Sequence, residues 1–171
     1  MNMFSFFKRL FGGNKAFTHN SESVPELAIP AVYASDYASI IGRTLPYYGQ
    51  LSEANKQRFL KRVYNFRKTK SFHYHGLEPR EEIAILVSAA AVQVSFGLKN
   101  YRLSFFHDVY LLSDSYQTLN AKEQYIGHVS PTGIYISWKH FVQGFANYAD
   151  GFNVALHEMA HALHHENFIQ E

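Results

Sequence analysis

Apolar positions fall at helical spacing from Leu51 onward. Phe59, Leu60, Val63, Tyr64 and Phe66 form one stripe that runs to about Lys68, with Ser52 placed to cap its start. The opposite face is basic, carrying Lys56, Arg58, Lys61, Arg62, Arg67, Lys68 and Lys70. Such a face can bind phosphate or acids, but Lys and Arg commonly fill exposed helix positions, and a solvated face is the favoured reading. The next segment, "EPREEIAILVSAAAVQVSFGLKNY", predicts a second helix, with Pro79 in its first turn, Glu81 and Glu82 at the positive end and Gly97 as the stop. Between Ile83 and Phe96 it is apolar on nearly every side, which makes it the central core helix.

Short β-branched and aromatic runs follow at 101–106, 109–112, 124–129 and 133–138. The last two flank Ser130-Pro131-Thr132 and predict a hairpin. A further helix begins near Asn153, capped by Asp150 or Asn153. The expected class is α+β: a helical N-terminal half, a small and mainly antiparallel sheet, and a motif-bearing helix at the C-terminus. Residues 1–30 are expected to be a tail and linker, since 12–30 are rich in Gly, Ser, Asn and Pro, and residues 31–171 to form one domain.

Composition narrows the chemistry. No cysteine is present, so disulfide scaffolds, thiolate metal sites and cysteine nucleophiles are excluded, and any transition metal must be held by imidazole and carboxylate. The absence of cysteine fits the cytoplasm. A formal charge of +2 gives no reason to expect a nucleic-acid partner. At the N-terminus the aromatics precede Lys8 and Arg9, the reverse of a secretory signal, and the apolar run falls short of the about 20 residues that span a bilayer. Phe4, Phe7 and Phe11 could make a weak membrane contact; a frayed tail is favoured.

The final helix carries His157-Glu158-Met159-Ala160-His161, the pattern His-Glu-x-x-His. Residues four apart share a helix face, so His157 and His161 can aim both imidazoles at one Zn2+, at roughly 2.0–2.1 Å each. Glu158 then stands beside the metal as general base, for a water whose pKa zinc lowers from about 15.7 towards 7. A third ligand is harder to place. The extended pattern with Gly and His at 164 and 167 is excluded, because His164 and Asn167 stand there. His164 and His165 lie beyond His161 along the axis, and Glu166 and Glu171 read as solvated tail residues.

"GIYISWKHFVQGFANYADGFNVALHEMAHAL" resembles the core of the Mlc titration factor A family, zinc-dependent peptidases of the gluzincin type. "LPYYGQLSEANKQRFLKRVYNF" and "REEIAILVSAAAVQVSFGLKNY" are similar to that family's first helices, so the resemblance covers roughly Leu45 to His164. It implies a cytoplasmic bacterial aminopeptidase-like enzyme with a lethal-factor-like, zincin-type domain acting on peptides or proteins. His157 and His161 would hold zinc and Glu158 would be the base. Members can also bind a glucose-regulated transcriptional repressor, so a non-catalytic protein that sequesters such a repressor is the alternative. Two departures stand out. Ala162-Leu163-His164 replaces the family's x-Leu-Asp, and no residue matches the Glu that serves as third ligand on a downstream helix. The expectation is a chain incomplete at its C-terminal end relative to the family.

Elsewhere, His73 and His75 in "FHYHGLE" could share a strand face and bind metal, but read as polar decoration of a Gly-bounded loop. "GIYISW" is either a core strand or an edge that pairs with extended substrate. His128 and His140 read as structural, and Ser88, Ser95 and Ser137 lack the context of a nucleophile elbow.

Overall fold

The computed structural model describes residues 25–117, 124–146 and 153–169, with side chains as far as residue 166. The aromatic positions Phe4, Phe7 and Phe11, the linker up to residue 24, Asp150 and Glu171 lie outside the described residues. Among those described, six helices and four strands are mixed along the chain: α1 (Ala31–Thr44), α2 (Pro46–Gly49), α3 (Glu53–Thr69), β1 (Ser71–His75), α4 (Glu81–Ser95), β2 (Asp108–Leu112), β3 (Gly127–Ser130), β4 (Gly133–Ser137), α5 (Trp138–Ala146) and α6 (Val154–Ile169).

The periodic segments form where spacing and caps place them. Ser52 Oγ accepts the N–H of Asn55 at 3.4 Å at the start of α3. In α4 every residue from Ile83 to Val92 is buried, packed against α1, α3 and α6. Its serines return their hydroxyls to the helix, Ser88 to Ala84 O at 2.7 Å and Ser95 to Ala91 O at 2.9 Å. Pro79 lies ahead of this helix and not in its first turn, because Arg80 is the extended N-cap residue. No helix among the described residues is long and apolar enough to cross a membrane.

The sheet corrects the expectation of mainly antiparallel pairing. Its order is β1-β2-β4-β3, and β1–β2 and β2–β4 are parallel; only the hairpin pair β3–β4 is antiparallel. A crossover supplies the parallel pairing, since α4 lies between β1 and β2 and returns the chain to the same end of the sheet. β4 takes the interior position because Ile134 and Ile136 are fully buried, while all of β3 is half-buried and sits at the edge. "GIYISW" is therefore not an edge strand. The other face carries a cross-strand ladder of stacked rings, His73–Tyr110–Tyr135–His128, with centroids 4.7, 4.5 and 4.3 Å apart.

Two segments depart from the local pattern. Residues 71–75, read as a loop, form β1, so His73 and His75 share a strand face against Tyr110. Residues 101–106, read as a strand, form a turn around Leu103, whose φ is 49°. Side chains replace the missing ladder there. Lys70 Nζ donates to Leu103 O at 2.7 Å and to Phe106 O at 2.6 Å, and Glu166 Oε1 accepts the N–H of Ser104 at 2.7 Å. Lys70 is accordingly buried, as is Arg62, which donates to Phe96 O and Leu98 O at 2.8 and 2.9 Å over the Tyr101 ring. The solvated-face reading fails for these two cations, each of which donates to two backbone carbonyls far along the chain.

Candidate metal centre

α6 starts on Asn153, whose Oδ1 accepts the N–H groups of Ala155 and Leu156 at 3.0 and 3.2 Å. Val154, Ala155, Leu156, Met159, Ala160, Ala162 and Leu163 are buried and hold the helix against α4, β3 and β4. That packing turns His157 outward and leaves His161 partly exposed. The two imidazoles meet there with Nε2 atoms 2.9 Å apart and ring planes at 84°. Burial draws both below the ordinary imidazole pKa; at His161 the charges of His157, His165 and His164 act in the same direction. Both shifts favour the neutral ring, the form that ligates a metal, and at this separation one Nε2 donates to the other.

Glu158 turns the other way, into the molecule. It is 6 % exposed, and burial pushes its pKa up to about 7. Its side chain lies on the backbone of Gly127 in β3, where a Cβ would stand 2.6 Å from Cγ and 2.9 Å from Oε1. The motif did not point to Gly127; a glycine inside a strand signals such a close approach. Tyr116 belongs to the same neighbourhood. Burial raises its pKa, with the charge of Glu158 next in effect, and its hydroxyl is 2.6 Å from His128 Nδ1.

The edge strand runs past this carboxyl. Ile126 O accepts from Ser137 N on β4, whereas Tyr125 pairs through both backbone groups with Tyr116 on the other side. Alternation then turns the N–H and C=O of Gly127 and Val129 to the outer edge of the sheet.

As a donor set, two convergent imidazoles on an exposed helix face suit a divalent transition metal. Among the described residues no group of three or more His, Cys, Asp or Glu assembles to hold an ion. Glu166 is not the solvated residue it was read to be: it is 8 % exposed and bonded to Ser104 N, because α6 packs as far as the 103–106 turn. His73 is 2.6 Å from Asp108 Oδ1, far along the sheet from α6. His128 is stacked on Tyr135, in keeping with a structural role. His140 Nδ1 takes both Ser137 Oγ at 2.8 Å and Asp114 Oδ1 at 4.0 Å, and since both fall on one ring nitrogen they form no relay to the buried Ser137.

A family model described as a glucose-regulated metallo-peptidase, M90, matches residues 26–168, in agreement with the resemblance read from the residues. No curated protein matches the chain.

Proposed function

The chain belongs to the glucose-regulated metallopeptidase family M90, and from that premise we propose that it is a zinc-dependent, aminopeptidase-like peptidase of the cytoplasm. One observation carries the reading. A single helix presents two imidazole nitrogens 2.9 Å apart while the residue between them in the motif, Glu158, keeps its carboxyl buried at the edge strand. His157 and His161 would hold the metal. When bound, zinc supplies Lewis acidity for a peptide carbonyl and acidifies water.

The chain's own residues do the rest. Glu158, with its pKa near 7, is balanced between accepting a proton from water and returning it to the leaving amine, the task of a general base that becomes a general acid. Gly127 permits the approach of Glu158 and, with Val129, offers edge backbone groups to an extended peptide. Tyr116, held by His128, lines the same region with a hydroxyl.

The test is zinc content and turnover of the purified chain, using peptides with free and with blocked N-termini. We expect zinc to be retained by the wild type and by Glu158→Gln and lost from His161→Ala. Turnover should fall by roughly 10²–10⁴-fold in Glu158→Gln, the usual worth of a general base, and should require a free N-terminus. Zinc-loaded chain that cleaves neither peptide would overturn the reading in favour of a protein that sequesters a transcriptional repressor.

A further inference from the structure

The face of α6 that carries His157 and His161 continues with His164 and His165, both exposed. A spacing of four residues turns a helix by about 40° beyond one full turn. In this helix that spacing brings the Nε2 atoms of His157 and His161 to 2.9 Å. The same spacing recurs one turn later, between His161 and His165.

This end of the helix is anchored. Glu166, next to His165, is buried and accepts the Ser104 N–H at 2.7 Å, in a turn whose carbonyls at 103 and 106 are held by Lys70. The His161/His165 spacing therefore belongs to a regular, packed stretch of helix.

We propose that His161 and His165 form a second divalent transition-metal site, shifted by one turn, which competes with His157/His161 for the ring they share. The proposal rests on the reading of His157/His161 as the metal pair. Zn2+ suits the second pair as it does the first, and Cu2+ binds such nitrogen donors more tightly still. His157 and His165 are eight residues apart, about 12 Å along the axis, so no single ion bridges them. An ion on His161/His165 lies a turn away from Glu158, the only motif carboxylate. It is held without a general base, and the second site withdraws metal from the productive one.

Zinc calorimetry on the full chain tests this, with circular dichroism to confirm that each variant is helical. We expect about one zinc per chain in the wild type, because the two sites share a ligand. His157→Ala and His165→Ala should each keep one site. His157→Ala/His165→Ala should bind none, whereas His157→Ala/His164→Ala should still bind. If the two pairs are of similar affinity, His165→Ala should raise turnover at one equivalent of zinc by about twofold. His157→Ala that binds no zinc beside a His165→Ala that does would overturn the proposal, as would two zinc ions per wild-type chain. A wild type without zinc would remove both sites. His165→Ala without zinc beside a His157→Ala that binds would instead remove the His157/His161 reading alone.

Discussion

Glu158 and Gly127 fit against each other side chain to backbone: a Cβ on residue 127 would stand 2.6 Å from Glu158 Cγ. The fit joins the motif helix to the edge strand at the one carboxyl that the proposed chemistry needs. It also explains why a glycine is placed in a strand, where its missing side chain otherwise weakens packing.

Gly127→Ala should therefore displace the Glu158 side chain. Turnover should drop on the order of 10²-fold, the effect of misplacing a catalytic group by about an ångström. Unfolding free energy should fall by only about 1–3 kcal/mol, as for other overpacked sites. Parallel kinetics and urea denaturation separate the two; loss of stability without loss of turnover would refute a positioning role.

Val129→Pro removes an N–H that faces the outer edge, where proline is tolerated. If peptides add to this edge, KM should rise roughly 3–10-fold, the worth of one hydrogen bond, with kcat nearly unchanged. Val129→Ala serves as the control for lost packing, since Val129 rests against the core. Equal KM in both variants would count against strand addition.

Burial lowers the Lys70 pKa from 10.5 to about 8. The unfolded chain then binds this proton more tightly than the folded one, so between pH 8 and 10.5 the Lys70 contribution makes the protein more stable as pH rises. Lys70→Met lacks that contribution. The stability of the wild type relative to the variant should grow by on the order of 3 kcal/mol across the interval. Denaturation curves at three pH values give the answer, and a constant difference would disprove it.

Asn153→Ala deletes the acceptor for two N–H groups at the start of α6. A cost of about 0.5–2 kcal/mol is expected, with most of it recovered by Asn153→Asp. Thermal melts of the three proteins measure it.

Much of this was legible in the residues. Ser52 and Asn153 cap the helices they were read to cap, the continuous apolar run at 83–92 is buried on all sides, and Ser130-Pro131-Thr132 turns the β3–β4 hairpin. Illegible were the parallel pairing of β1 with β2, the turn at 101–106 and the burial of Arg62, Lys70 and Glu166. Each of those depends on partners far along the chain: Lys70 meets Leu103 across 33 residues and Glu166 meets Ser104 across 62.

Helices α1, α2 and α5 were not read from the sequence. By itself the sequence determined that the segments of α3, α4 and α6 are helical, that α3 has one apolar stripe and α4 is apolar on nearly every side, and that one helix carries two imidazoles a turn apart. Those are consequences of a 3.6-residue period and of capping groups, and they act within a few residues. Only the tertiary structure decided that Glu158 is buried against Gly127, that β3 is the edge beside it, and that Glu166 anchors the end of the helix. Strand neighbours and buried charges are selected by shape and by backbone groups left unsatisfied elsewhere, and local periodicity holds no record of them.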